Sequence, residues 1–308
     1  MPEYQVIKSD IMPQVKSTKL RPDVQPNPEW KKELTKLRRQ IIPKIGQITN
    51  TQAAVERISS QLDQILAPSP RHPQALYVAL LYVVSKAVLK QAEEEVTVKP
   101  STAFPLARVV MALVEQGHDL LGTVFVAKLI SMSSHWIVGT VIGREPNQSD
   151  EDYRKSLGYR PASSGETTPQ YIERMGGLVT LYAAILQTPI QTTTSREAAQ
   201  RIPAYLRFPR FWTWLARLVG NSDLMSDPAA SHLLACALET AGDRAMEVWG
   251  KQMVKLRAAL GRKAFEADGS VHLLGGEEGK AGRIRLGLLL DAWQKNGAIH
   301  PPGREYDE

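Results

Sequence analysis

The 308-residue sequence is poor in aromatic residues and has a single cysteine, and both shortages narrow the choice of fold. Aromatic residues make up only 6% of the chain, so valine, leucine, isoleucine and alanine must form most of the core, which suits packed helices. The cysteine, Cys236, lies in the apolar run SHLLACALET, where a thiol normally serves core packing. One cysteine excludes an intrachain disulfide framework and indicates a reducing compartment.

The sequence also lacks an uninterrupted hydrophobic run of the length that a membrane span needs. Its longest apolar stretch, residues 76–84, is much shorter than the roughly 20 residues of a transmembrane helix. The amino terminus, MPEYQVIKSD, is polar and has no secretory signal pattern. We therefore expect a soluble chain. Its start without a helix or strand pattern suggests a fragment of a longer protein.

Patterns of catalytic or metal-binding residues are missing as well. The sequence contains no GxxxxGK[ST], no GxGxxG after a strand, and no HExxH, CxxC or GxSxG. The six histidines are isolated from one another, and His232 lies on an apolar helix, where packed histidines are far more common than ligands. No nucleophile, base and orienting group are assembled by spacing. The sequence therefore favours a binding module, and an enzyme remains an alternative that rests on length alone.

Basic residues are in modest excess, with a net charge of +6 and an isoelectric point near 9.3. Such a charge favours an anionic partner, which can be nucleic acid, a phosphate compound or an acidic protein surface. The densest basic cluster, Lys31, Lys32, Lys36, Arg38 and Arg39, lies on one predicted helix. It has no interleaved aromatic residues of the kind that stack on bases. A solvated helix face is the ordinary interpretation, and an RNA-backbone surface is the alternative.

Helical periodicity dominates the chain from Trp30 onward, and strand candidates are scarce. Residues 135–143, HWIVGTVIG, form either a short strand or an apolar loop. The first helix should stop at Pro43, and Gly117, Gly158 and Gly220 stand where helix C-terminal caps belong. Further helices are predicted at about 45–65, 73–96, 102–115, 119–132, 150–157, 168–187, 211–219, 227–241, 246–267 and 280–296.

These elements predict an all-α fold, an irregular stack of antiparallel helices rather than a tight bundle. Prolines and scattered charges make residues 1–28 an extended or disordered arm. Residues 29–300 then form a single helical-repeat domain, and residues 301–308 form a tail.

One stretch, residues 76–110, places two lysines on the end of an otherwise apolar helix. Lys86 and Lys90 are one helical turn apart, so their charges repel each other by a few tenths of a kcal/mol. Either the acidic run Glu93–Glu95 neutralises them, since Lys90 can reach Glu93 and Glu94, or a bound anion does. The residues alone leave both explanations open.

Several blocks resemble one known family, in order along the chain. They are KQAEEEVTV, AFPLARVV, EDYRKSLGY, YIERMGGLVTLYAAILQ, FWTWLARLV and RIRLGLLLDAWQ. The chain resembles, over about residues 40–297, the carboxy-terminal domain of the Gle-one (GLFG-lethal) nuclear-pore mRNA-export mediator family.

The resemblance implies a fold and a set of partners. The fold is all-α, HEAT-like and similar to the middle domain of the translation-initiation scaffold. The implied function is to bind and activate a DEAD-box mRNA-export helicase ATPase at the cytoplasmic face of the nuclear pore, with inositol hexakisphosphate between the two proteins. The implied effect is RNA release, without catalysis by the domain itself. The carboxy-terminal tail of an FG-repeat nucleoporin is a further implied partner. The alternative function is an RNA-binding helical-repeat adaptor without an inositol phosphate site.

The resemblance also implies which residues hold the inositol phosphate. These are Lys86, Lys90, Lys128 and Lys255, with Lys44 as a weaker candidate. The sequence departs from the family pattern at Ser131 and Met132, where the family commonly has two adjacent lysines. Each lost phosphate contact removes a charge-assisted hydrogen bond worth about 1.5–3 kcal/mol. Either the affinity is reduced, or other basic residues compensate, or the two positions are engineered substitutions. If the site is retained, Lys86 and Lys90 must carry a larger share of it.

Overall fold

The computed structural model describes residues 27–190, 202–265 and 274–307, and every regular element in these ranges is a helix. The all-α prediction is thereby confirmed. The predicted arm lies outside the described residues except for its last two. The helices are α1 (Pro28–Ile45), α2 (Gln52–Leu66), α3 (Gln74–Gln91), α4 (Ala103–Glu115), α5 (Asp119–Ser133), α6 (His135–Val138), α7 (Asp150–Ser156), α8 (Thr168–Gln187), α9 (Pro209–Gly220), α10 (Ser222–Ser226), α11 (Ala230–Trp249), α12 (Lys251–Phe265) and α13 (Lys280–Asn296).

The first helix, α1, begins earlier and ends later than the sequence predicts. Asn27 caps its start, because the side-chain oxygen accepts hydrogen bonds from the backbone N–H groups of Glu29 and Trp30. The predicted stop at Pro43 is wrong, and α1 continues to Ile45. Ile41 and Ile45 are both fully buried and hold the helix against the core on either side of the proline.

The segment after α3 is a π-helical turn, Ala92–Val96, where a continuous α-helix to residue 96 was predicted. Its backbone lies against Gly177 of α8. A Cβ atom at Gly177 would stand 2.3 Å from the carbonyl oxygen of Ala92 and 2.5 Å from Oγ1 of Thr97. Only glycine permits this approach, and the close contact fixes the wide turn on α8.

The segment at residues 135–143 is not a strand. It forms the short helix α6, which ends at Gly139 in the left-handed conformation (φ 70°), followed by a loop. Trp136 anchors it, because the fully buried indole donates to the Tyr171 hydroxyl at 2.8 Å and its carbonyl accepts from Trp214 at 2.6 Å. A buried aromatic anchor therefore replaces the ladder that a strand would need.

The predicted break between residues 241 and 246 is also wrong. The helix expected to stop near residue 241 runs on to Trp249, and the break falls at Gly250 (φ 45°). Gly242 is a packing position within this helix, where a Cβ would stand 3.0 Å from the Trp293 ring.

Of the three glycines predicted to cap helices, Gly117 and Gly158 have positive φ values, 101° and 89°. Gly220 is the last residue of α9 and does not adopt a left-handed conformation.

The helices pack in two rows. In the first row α1 packs on α3, and α3 packs on α5. In the second row α2 packs on α4, α4 on α8, and α8 on α11, with α12 and α13 packed on α11 and on each other. The apolar stripes of both rows meet in one continuous core. This arrangement turns one face of α1, α3 and α5 to the outside.

One described helical stretch, residues 74–96, is long and apolar enough to cross a membrane by length and composition, which the apolar run alone did not indicate. Of its most apolar window, 56% is buried inside the protein. A core helix meets the same criterion, so this stretch carries no membrane assignment.

We predict that Gly177→Ala destabilises the fold by about 1–3 kcal/mol or more, because the added methyl overlaps the backbone of Ala92. Gly261→Ala in α12 is the matched control, since a Cβ there meets nothing within 4 Å and should be neutral or stabilising by up to about 1 kcal/mol. Urea unfolding of both variants measures the difference. Equal stabilities would contradict the packing role of Gly177.

Candidate polyanion site

Three of the predicted site lysines lie on the outer face of neighbouring helices α3 and α5. Tyr82, Lys86 and Lys90 follow one another at four-residue spacing on α3 and therefore share one face. Lys86 and Lys90 are exposed. Lys128 of α5 crosses to this face, because its Nζ stands 5.6 Å from the centre of the Tyr82 ring. The three amines thus form one basic surface, which we call the lysine face.

Lys44 lies near the carboxyl end of α3, the end that carries Lys90. It occupies the last turn of α1, and Gly46, two residues later, stands against Gln91, where a Cβ would be 3.6 Å from the end of the Gln91 side chain. The Lys44 amine donates to Oε1 of Gln61 at 2.7 Å. Lys44 is therefore a neighbour of the lysine face, and its amine is engaged with a neutral acceptor.

Lys255 lies on a helix outside the α3 and α5 pair. It is exposed on α12, which packs on α11 and α13 at the opposite end of the second row from α2. The sequence gives no signal for this separation, because helix order along a stack does not follow from motifs. A role for Lys255 in the same site stays a prediction from family resemblance.

The departure at Ser131 and Met132 falls at the end of α5. Ser131 is exposed, and Met132 is half-buried and packs on the edge of the core. Neither side chain carries charge to the lysine face. Lys128 is thus the cation that α5 presents on this side.

The three glutamates after α3 have separate environments. Lys90 pairs with Glu94, with 3.2 Å between Nζ and Oε1 and 64% and 56% of the two side chains exposed. Glu93 turns inward, with 11% of its side chain exposed, and pairs with Arg174 and Arg160 instead. The expectation that Lys90 reaches Glu94 is confirmed. The expectation that Lys90 also reaches Glu93 is wrong, because Glu93 pairs with the two arginines.

Arg174 of α8 is the centre of the buried charge network that holds Glu93. Its guanidinium donates to both carboxylate oxygens of Glu166, at 2.7 and 2.9 Å, to Glu93 at 3.2 Å and to the carbonyl of Gly158 at 3.0 Å. Burial alone would disfavour the charge of Glu166, but the hydrogen bonds and charges of Arg174 and Arg160 outweigh it and lower the Glu166 pKa. Burial likewise opposes the charge of Arg174, and its two carboxylate partners raise its pKa.

No sequence pattern predicts this network, although Arg174 lies in the block YIERMGGLVTLYAAILQ that carries the family resemblance. Arg174 and Glu93 are 81 positions apart, and Glu166 lies in a loop that has no motif. Like many buried ion pairs, they are joined by the fold alone.

Cys236 and His232 are packed residues. Burial raises the pKa of the Cys236 thiol to about 11, so it is uncharged at neutral pH. Burial and the nearby Arg285 lower the pKa of His232 to about 4. The described ranges contain no group of three or more His, Cys, Asp or Glu side chains that could hold a metal ion.

Comparisons with known proteins agree with one another. A family model described as "GLE1-like protein" matches residues 3–261. The mRNA export factor GLE1 of Saccharomyces cerevisiae is 30% identical over 271 residues, covering 85% of this chain and 46% of that protein. The mRNA export factor gle1 of Schizosaccharomyces pombe is 26% identical, covering 84% of this chain and 50% of that protein. The chain therefore spans about half the length of these relatives.

A solved structure extends the similarity to the fold. It contains a variant of the S. cerevisiae Dbp5 C-terminal domain bound to a variant of Gle1 and to IP6, and it matches with a TM-score of 0.74 and 25% identity. The match covers 100% of this chain and 94% of the compared chain.

We predict that Arg174→Leu lowers the free energy of unfolding by about 3–5 kcal/mol, because Glu93 and Glu166 would lose their buried counter-charge. Arg160→Gln is the control, since the Arg160 side chain is 50% exposed and such pairs contribute about 0–1 kcal/mol. Urea unfolding at pH 7 measures both. Similar losses for the two variants would show that the network is not centred on Arg174.

Proposed function

Because this chain belongs to the GLE1-like protein family, we propose that it is an mRNA export factor that binds and activates a DEAD-box RNA helicase. Inositol hexakisphosphate is the proposed small molecule between the two proteins. The observation that supports this best is the likeness, along the whole chain, to a fold solved with a Dbp5 domain and IP6. The helicase would hydrolyse ATP, and this chain would contribute no catalytic group.

The lysine face is the proposed site for the inositol phosphate. Lys86, Lys90 and Lys128 offer exposed or half-exposed amines on two packed helices, with Lys44 beside them. Charge-assisted hydrogen bonds from amines to phosphate contribute about 1.5–3 kcal/mol each. A ligand that bridges two proteins must remain open to the second one, and an outer face formed by helices satisfies this requirement.

Activation follows from preferential binding to one state of the helicase. If the domain and its inositol phosphate bind the separated-lobe form more tightly than the closed form, they shift the population towards it by that difference in affinity. The separated-lobe form of the helicase would bind RNA more weakly than the closed form. Promotion of RNA release is therefore the proposed outcome of binding.

The remaining partners and the location are also proposals. We place the domain, residues 29–300, at the cytoplasmic side of the nuclear pore, where it would also bind the carboxy-terminal tail of an FG-repeat nucleoporin. The proposed function does not require that this chain itself bind RNA. The basic cluster of α1 offers Lys31, Lys32 and Arg39 along one outer groove but no aromatic platform for bases.

We predict that Lys86→Gln combined with Lys90→Gln weakens inositol hexakisphosphate binding by at least about 100-fold, since two charge-assisted contacts are lost. The ligand-dependent part of helicase ATPase stimulation should disappear with it. Calorimetric titration and a steady-state ATPase assay measure the two effects. Lys31→Gln with Lys32→Gln, which removes the same charge near the other end of α1, should change neither.

Two results would contradict this proposal. Wild-type chain that gives neither heat nor thermal stabilisation at high micromolar ligand would remove the inositol phosphate site. Single-stranded RNA binding with a steep salt dependence that is lost in the Lys31 and Lys32 variant would favour the RNA-binding adaptor instead.

A further inference from the structure

We infer that Glu94 is a built-in competitor of the anionic ligand for Lys90, and that it sets the affinity of the lysine face. This inference rests on the proposed function, because it concerns the same site. It adds a residue whose effect is opposite to that of the lysines. Replacing Glu94 by a neutral residue should strengthen ligand binding.

The geometry gives Glu94 this role. The Lys90 amine is already held by Glu94, with 3.2 Å between Nζ and Oε1 across one helical turn. Both side chains are more than half exposed, at 64% and 56%. An exposed pair of this spacing is weak and opens readily. A phosphate group must therefore displace a carboxylate that is present but easily displaced.

The other two glutamates do not act on the lysines in the same way. Glu93 lies in the π-helical turn with its side chain under the surface, where Arg174 and Arg160 neutralise it. Glu95 is exposed, and in the described ranges no lysine or arginine pairs with it. Glu94 is thus the acidic group in contact with a lysine of the proposed site, and the fold rather than the sequence selects it from three identical neighbours.

Two effects of Glu94 on a bound polyphosphate have the same sign. The ligand must break the ion pair with Lys90, and it then stays near an uncompensated negative charge. At about 0.1 M salt the screening length is about 10 Å. The carboxylate of Glu94, one turn from Lys90, therefore still repels a phosphate group that is bound to Lys90. Removing this charge while keeping a side chain of the same size should remove both costs.

The test is calorimetric titration of the chain with inositol hexakisphosphate at about 0.1 M salt, comparing Glu94→Gln with wild type. We expect the dissociation constant to fall by about two- to fivefold. Glu95→Gln is the matched control, because it removes the same charge from the same segment without breaking a pair with a lysine. It should change the constant by less than about twofold.

A double-mutant cycle separates competition for Lys90 from general repulsion. In a Lys90→Gln background the ion pair no longer exists, so the gain from Glu94→Gln should shrink to the size seen with Glu95→Gln. An undiminished gain in that background would overturn the competitor role. Equal gains from the Glu94 and Glu95 variants in the wild-type background would overturn it as well.

The outcomes distinguish this inference from the proposed function. If wild type binds, the lysine variants lose binding and Glu94→Gln has no effect, the inference fails and the proposed function stands. If Glu94→Gln binds where wild type does not, the inference is supported and the competition is stronger than expected. If neither binds, both fail.

Discussion

The charge network around Arg174 is the interaction on which the arrangement of the proposed site depends. It places one guanidinium between two carboxylates from different parts of the chain, Glu93 after α3 and Glu166 before α8. Because the three groups are almost excluded from water, each would be costly without the others. The network therefore joins the segment after α3 and the loop before α8 to α8 itself, in one defined geometry.

The π-helical turn is the local consequence. Gly177 lets the backbone of α8 approach Ala92, and one turn earlier on the same helix Arg174 takes the side chain of Glu93. This wide turn holds the Glu93 side chain inward, against Arg174. It leaves Glu94 outside, beside Lys90, so a buried structural contact on one side decides the electrostatics of the exposed side.

The C-terminal segment after α13 closes the stack on another side. The carboxylate of Asp243 in α11 accepts hydrogen bonds from the backbone N–H groups of Ile299 and His300, at 2.8 and 2.6 Å. Farther on, Arg108 of α4 stands 4.1 Å from the ring centre of Tyr306, and the N–H of Asp307 donates to the carbonyl of Asn50 at 2.8 Å. This short segment thus joins α11 to α4 and to the loop before α2.

The sequence by itself determined the helical class, most helix positions and the family, because apolar periodicity and local blocks are properties of neighbouring residues. It also placed Lys86 and Lys90 on one face, since four-residue spacing guarantees that in any helix. It misplaced the break between α11 and α12, which falls at Gly250, because Gly242 packs on Trp293 within a continuous helix.

Only the tertiary structure decided which distant groups meet. The order of helices in the two rows brings Lys128 beside α3 and places Lys255 on a helix that packs on α11 and α13, and no local pattern encodes that order. The three consecutive glutamates are equivalent in the sequence, yet a guanidinium 81 positions away buries Glu93 and leaves Glu94 to Lys90. Charges act through space, and their partners are fixed by folding rather than by spacing along the chain.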